Sequence, residues 1–328
     1  MELSSSGIGI DLSDHHVRLA WVGRKGRTKG LYELDLAHGL IVDDLVVKPE
    51  GLAKQIGALI NKTGISDETA RATVLVPESR VFSKTLVIPR NKDKEALISE
   101  ARAAAQLEIP IPFSKAYVQV EQAKKSGKEM QMTVFVVQKE VVDGLKKAFS
   151  QTSFEFVAAE VGGQALCRLY LDYGLEIPKD RDSLFLVIDI GHSWTNISVF
   201  DIMSLEIFSR SVQARRRRST GKAEPLMQEG IENICNAISE TVSFVEGLER
   251  EIFIGIVAGV EGGQKEVSEA CSKVFKKCPL LRIGDAVEVP GLSKEEIHTY
   301  GAALGAALRS VKPSIYKNHH NFYYETEQ

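Results

Sequence analysis

Two carboxylates stand at the ends of apolar runs, about half a chain apart: Asp11 closes Gly7-Ile8-Gly9-Ile10, and Asp189 closes Leu184-Phe185-Leu186-Val187-Ile188. Each is followed by a short polar turn, with Ser13 and Asp14 in the first and Gly191, His192 and Ser193 in the second. A second β-rich run then begins, Val17 to Val22 in one case and Thr195 to Phe200 in the other. The chemistry such a pair supports is the holding of a polyphosphate. Hairpin tips of small and hydroxyl residues present backbone N–H groups to phosphate oxygens, and a carboxylate at the strand end reaches a Mg²⁺ through water. Either hairpin alone reads as an Asp/Gly turn that ends a buried strand. The repeat makes the pair a candidate nucleotide clamp.

The elements that must position these residues fit a chain of two lobes. A length of 328 residues predicts about two domains. With 44% hydrophobic and 26% charged residues, each lobe has enough apolar side chains for its own core. A net charge of -3 argues against a nucleic-acid binder. Cys167, Cys235, Cys271 and Cys278 show neither a CxxC pair nor metal-ligand spacing, which predicts reduced thiols. No apolar stretch has the length of a membrane span, and the first residues lack the pattern of a signal peptide, so a cytosolic location is expected.

After the first hairpin, a strand-like stretch, Leu31 to Leu36, leads to a helix over Leu52 to Ile60, set by apolar residues at helical spacing. A short buried strand, Thr73 to Val76, stops at Pro77. The pattern changes between Val81 and Phe156, where an alternating strand, an Ala/Glu-rich helix over Asp93 to Leu107, a hairpin of Tyr117 to Glu121 with Met130 to Val137, and a helix over Val141 to Phe149 predict an inserted α+β subdomain. A connecting helix follows, Gly163 to Tyr173, then a polar linker, Ile177 to Ser183. The second lobe continues with a strand from Leu205 to Val212, a basic loop at Arg215 to Arg218, a helix over Ile231 to Val245, a strand from Ile252 to Gly259 and the turn Val260-Glu261-Gly262-Gly263. The last helix, Glu295 to Arg309, carries Gly301, Ala302, Ala303, Gly305, Ala306 and Ala307, a composition suited to close backbone approach. The expected boundaries are 1–182 for the first lobe with its insert at about 81–156, 183–310 for the second, and 311–328 for a frayed tail.

Taken together, GIDLSDHHVRLA, DIGHSWTNISVF, VAGVEGG, the IPIPF stretch at Ile109 to Phe113 and the closing TYGAALGAALR resemble the motifs of the actin-like ATPase superfamily, in its FtsA/PilM branch, over residues 7 to 310. The resemblance implies an α/β actin-like ATPase fold and a scaffold of a type IV pilus or type II secretion machine. Such a scaffold binds ATP with Mg²⁺ between its lobes and holds the cytoplasmic tail of a PilN-like inner-membrane protein beside the insert. Carried over by motif, Asp11 and Asp189 would face the metal. Ser13, Asp14 and Arg18 on one hairpin, and Gly191, His192, Ser193 and Thr195 on the other, would line the phosphates. Gly259, Gly262 and Gly263 would back the adenosine, and Phe113 would wall the partner's groove.

The chain departs from that pattern in places. Ser13 stands where the family has glycine, which predicts a less close backbone approach to phosphate. The short connection between the strand ending near Val212 and the helix beginning near Ile231 predicts a closing subdomain reduced to a loop. Glu160, at a strand-to-helix junction, is the candidate for orienting a hydrolytic water, but the surrounding catalytic motif is missing. At most a slow ATPase is therefore expected. A small-molecule phosphotransferase of the same superfold, or a scaffold that has lost nucleotide, are the alternatives. His15-His16 and Arg215 to Arg218 read as solvated turns.

Overall fold

The computed structural model describes residues 6–65, 70–89, 93–126, 129–180, 182–191, 193–213, 226–259, 263–274, 279–311 and 320–324. They divide into two compact units, residues 1–162 with 306–328, and residues 163–305. These boundaries differ from those expected at 182 and 310. The connecting helix goes with the second unit, while the last turns of the closing helix and the C-terminal residues go with the first, where His320 to Tyr324 are seated with Phe322 fully buried and do not fray as expected.

In the first unit, β1 (Ser6–Leu12), β2 (His16–Gly23) and β3 (Thr28–Asp35) form an antiparallel meander. A two-stranded ribbon of β4 (Ile41–Val42) and β5 (Leu45–Val46) leads to α1 (Pro49–Thr63). Proline in its first turn and Gly64 in the left-handed conformation after its last set the limits of α1. β6 (Arg71–Val76) then adds parallel to β1.

The insert follows: β7 (Val81–Pro89), α2 (Lys94–Glu108), β8 (Ala116–Ser126) and β9 (Glu129–Gln138). Its strands run in the order β7-β9-β8, with α2 packed on one face through Leu97, Ala101 and Ala105 against Val118, Val134 and Val136. Asp93 caps α2 by accepting the Glu95 N–H. The next helix, α3 (Lys139–Phe149), meets the other face of this small sheet at Tyr117, whose hydroxyl bonds Asp143 and Lys146, and also reaches beyond the insert. Its stripe of Val141, Val142, Leu145 and Phe149 enters the main core of the unit with Ile8, Ile10, Leu52 and Ile56. β10 (Glu155–Val161) completes the main sheet in the order β10-β6-β1-β2-β3.

In the second unit, reached along α4 (Gly162–Tyr173), β11 (Leu184–Ile190), β12 (Trp194–Asp201) and β13 (Glu206–Gln213) repeat the meander. They are followed by α5 (Gln228–Gly247), β14 (Ile252–Gly259), α6 (Gln264–Val274), β15 (Leu280–Arg282), α7 (Ile283–Ala286) and α8 (Lys294–Val311). The sheet order is β13-β12-β11-β14-β15. Leu186, Ile188 and Ile190 face α5 and α6, and Phe185 turns to the other side against Tyr170 of α4.

Ser293 and Glu296 start α8 with a reciprocal pair of side-chain to backbone hydrogen bonds. The small residues of α8 do serve close approach, since a Cβ on Gly305 would fall onto the Ala165 carbonyl. Sequence periodicity did not disclose α6, β15 or α7. The basic stretch 214–218 and Cys278 lie outside the described residues.

Cys235 on α5 and Cys271 on α6 are joined as a disulfide, with Cα atoms 5.3 Å apart. This corrects the expectation of reduced thiols for that pair. Residues 36 apart in sequence are brought together because both helices cover the same sheet face.

Candidate functional site

Each hairpin carries a row of polar side chains across its meander. In the first, Asp11 lies opposite Arg18, and Arg18 opposite Glu33. In the second, Asp189 lies opposite Asn196, and Asn196 opposite Ser211, at the same spacing along the chain. Residues directly opposite on antiparallel strands share one sheet face, so each row is a contiguous polar strip. The tips repeat as well: Ser13 N–H donates to the His16 carbonyl at 2.9 Å, and Gly191 N–H to the Trp194 carbonyl at 2.8 Å. The two strips differ in what they do with their charges.

In the first strip, Arg18 is buried and directs Nε and Nη2 at Glu33 Oε1, at 3.2 and 3.1 Å. Its guanidinium is held inside the sheet face, not presented at the tip as the motif had implied. Burial pushes the Asp11 carboxyl above its ordinary value, against the opposing pull of Arg18, and Glu33 adds to the rise. Ser13 Oγ accepts the backbone N–H groups of His15 and His16, at 3.3 and 3.1 Å. The hydroxyl therefore occupies the tip donors that a glycine would leave for a ligand. Asp14 is also committed. Its two carboxylate oxygens accept the N–H groups of Asp43 and Asp44, both at 3.1 Å, pinning the β4–β5 turn. Both of those turn residues have positive φ. Neither Asp14 nor Arg18 lines a phosphate site in this arrangement.

The second tip is built differently. Gly191 offers no side-chain acceptor, Ser193 is exposed, and Trp194 is 40% exposed. Asn196 accepts from Ser211 Oγ at 2.7 Å. Thr195 is fully buried, because it lies opposite Ile190 and Val212 on the core face, so its hydroxyl is turned from the tip. The expectation that Thr195 lines the phosphates is corrected by this one-residue alternation. His192 lies outside the described residues.

The third motif begins where β14 ends. Gly259 has a φ of 118°, and a Cβ there would strike the Ile190 backbone, so the chain can leave β14 against β11 only with glycine. Gly263 donates its N–H to Glu266 Oε2 at 3.1 Å at the start of α6. Gln264 Nε2 closes the loop onto the Gly259 carbonyl at 2.6 Å. Gln264 was not apparent from sequence, since nothing in its spacing marks a side chain that folds back on a carbonyl. Gly262 lies outside the described residues.

Glu160 at the end of β10 is fully buried and pairs with Arg309 of α8. Arg309 also donates to the His320 carbonyl at 2.8 Å. A carboxylate held in a buried ion pair is not placed to orient water, so the hydrolytic role expected for Glu160 is replaced by a structural one. Phe113, half-buried, packs on the α2 side of the insert together with Ile109 and Ile111. Among the described residues no cluster of three or more His, Cys, Asp or Glu is arranged to hold a metal ion.

Two units, each with a meander, a crossover helix and a parallel strand, and each with an Asp-ended hairpin in the same register, define the actin-like ATPase fold. The family model of the type IV pilus assembly protein PilM matches residues 9–215, and the chain belongs to that family. Among solved structures it is similar to a PilM-PilN type IV pilus biogenesis complex, at 17% identity with a TM-score of 0.76, covering 94% of this chain and 99% of that one. It is also similar to the cytoplasmic domain of EpsL, an inner-membrane component of the type II secretion system of Vibrio cholerae. Identity there is 10% and the TM-score 0.53, covering 99% of this chain and 100% of that one. At these identities the likeness concerns the fold. No curated protein sequence matches the chain.

Proposed function

We propose that this chain is a scaffold of a type IV pilus or related secretion machine, one that captures the cytoplasmic tail of a PilN-like inner-membrane protein and binds ATP without rapid turnover. The observation that carries the reading is membership of the PilM family together with the repeated Asp-ended hairpins. The likeness to the PilM-PilN complex supports the partner, and that to the EpsL cytoplasmic domain supports a place at the inner membrane. Among the described residues no helix is long and apolar enough to cross a membrane, which is consistent with attachment through a partner.

In the nucleotide reading, the second hairpin does most of the work. The backbone near Gly191 and Ser193 takes phosphate oxygens, and Asp189 holds the metal's water shell. Mg²⁺, when bound, neutralises phosphate charge. Asp11 contributes a second carboxylate, while Gly259 and Gly263 back the adenosine. With its carboxylate engaged by Arg309, Glu160 is not available to activate water, which supports slow or absent hydrolysis. Closure of the first tip by Ser13 favours one second reading, a scaffold that holds nucleotide weakly or not at all.

The partner's tail binds beside the insert, with Phe113 in the apolar wall of its groove. A pull-down with the cytoplasmic tail of the neighbouring membrane subunit tests this. Wild type should retain the tail, and Phe113→Glu, checked by its melting temperature to be folded, should retain much less with unchanged ATP affinity. Equal capture by both proteins would move the groove elsewhere, and no capture by wild type would remove the partner.

A further inference from the structure

Positive charge gathers at the turn between β2 and β3. The connection reads Gly23-Arg24-Lys25-Gly26-Arg27-Thr28-Lys29, and no acid occurs from Trp21 through Tyr32. Arg24, Lys25, Arg27 and Lys29 are all exposed. In a chain whose net charge is -3, this turn is a local departure from the average surface.

The backbone under these cations is fixed. The Gly23 N–H donates to the Arg27 carbonyl at 2.8 Å, and Lys25 and Gly26 take successive left-handed conformations, with φ of 68° and 78°, that fold the chain back within a few residues. Ser6, where the described part of β1 begins, lies opposite Gly23, so residues 24–27 extend past that end of β1. Because β1 runs from there towards Asp11, the turn stands at the opposite end of the sheet from the Ser13 tip.

Aromatic side chains lie beneath the charge. Trp21, half-buried, packs with Tyr32 against the core, and Lys29 Nζ sits 4.7 Å from the Trp21 ring centroid. Tyr32 Oη donates to the Thr63 carbonyl at 3.4 Å, which brings the last turn of α1, with exposed Lys62, to the same end of the unit. No described acid forms an ion pair with Lys25, Arg27 or Lys29. Glu155, at this end on β10, is already paired with Arg71 at 3.5 Å.

We infer that the β2–β3 turn is a contact surface for the anionic face of a lipid bilayer. A turn that extends past its sheet offers no groove or open strand for a peptide backbone, whereas it can set several long cations against a flat charged surface. An aromatic ring partly buried under a lysine suits the headgroup level, where one side is apolar and the other wet. Near an anionic leaflet each cation strengthens partition about fivefold. Lys25, Arg27 and Lys29 together then give about a hundredfold preference for anionic over neutral membrane, a contact that orients a chain held there by a partner more than it anchors one alone.

Flotation of the full chain with vesicles of phosphatidylcholine, alone or mixed with phosphatidylglycerol, tests the contact. Wild type should partition about a hundredfold more strongly into the mixed vesicles, and the double variant Lys25→Gln, Arg27→Gln, with its melting temperature checked, should lose about thirtyfold of that. Wild-type binding should also fall as salt is raised. Equal partition into the two vesicle types, binding that is level with salt, or equal partition of variant and wild type overturns the surface. Tighter binding of duplex DNA than of mixed vesicles would overturn it in favour of a nucleic acid.

Trp21 gives a local reading. The chain has two tryptophans, Trp21 and Trp194, so Trp194→Phe leaves Trp21 as the sole emitter beside the turn. In that background, Trp21 should transfer energy to a dansyl-labelled headgroup in mixed vesicles, and adding Lys25→Gln and Arg27→Gln should abolish the transfer. Transfer that survives those substitutions would show contact through another face and overturn the proposal. These measurements use neither nucleotide nor the membrane subunit's tail, so their outcome is independent of the ATP and capture experiments.

Discussion

One hydroxyl separates the two hairpin tips. Ser13 Oγ satisfies the His15 and His16 amides, whereas Gly191 has no side chain to offer its own tip. Ser13→Gly should therefore free donors and raise affinity for ATP by at least about tenfold, about 1.5–3 kcal/mol for a recovered hydrogen bond to a charged group; calorimetry showing no gain would mean the first tip never meets phosphate.

Glu160 makes the opposite kind of prediction, about stability. Glu160→Ala strands Arg309 in a buried site without its counter-charge, an expected loss of about 3–5 kcal/mol in urea denaturation. A loss near zero would contradict the buried pair.

Asp11 predicts a pH effect. Its carboxyl is raised above 3.8 by burial, so on titrating upward the unfolded chain loses its proton first and folding stability falls through the interval above 3.8. Asp11→Asn should then be more stable than wild type at neutral pH, with the advantage vanishing below about pH 4, where both side chains are neutral. The same advantage persisting at low pH would rule out the carboxylate as its source.

At the scale of elements, close approach and cross-linking hold the pieces. On β1, a Cβ at Gly7 would come within 2.5 to 2.9 Å of the Ala307 carbonyl, Val311 and Ser310 of α8, and Thr73 meets Ser310 at 2.7 Å beside it. Gly7→Ala should cost about 1–3 kcal/mol through forced separation of helix and sheet. The disulfide between α5 and α6 should contribute up to about 4 kcal/mol by restricting the unfolded chain. Reductant should lower the melting temperature of wild type and leave that of Cys235→Ala unchanged; equal response of both would show the pair to be unlinked.

Much of this level was legible in the sequence. The two hairpins, α1, α2, α5 and α8 all follow from apolar spacing and end signals. What was not legible depends on partners distant in sequence. The stripe on α3 declares a buried face but not that α1 and the main core share it with the insert. The alternation that buries Thr195 is set by the register with Ile190 and Val212, which a motif match ignores. Arg18, Asp14 and Glu160 carry the charges the motif asks for, and each is claimed by an internal partner, Glu33, the Asp43–Asp44 turn and Arg309 respectively, that no local pattern reveals.

For the whole molecule, family membership and fold agree. A chain whose residues 9–215 match the PilM model, and whose two units repeat one hairpin, has the frame of an actin-like scaffold. Its chemistry is uneven. The first hairpin has turned its polar groups inward to brace β3 and the β4–β5 ribbon, while the second has no side chain at Gly191 to close its tip. We propose that nucleotide is held, despite this asymmetry, through the second hairpin. Calorimetric titration of ATP with Mg²⁺ into wild type and Asp189→Ala tests it most directly. Wild type should bind saturably and the variant not detectably, since the variant lacks the carboxylate proposed to meet the metal. Equal affinity in the two proteins, or no binding by wild type, would contradict it.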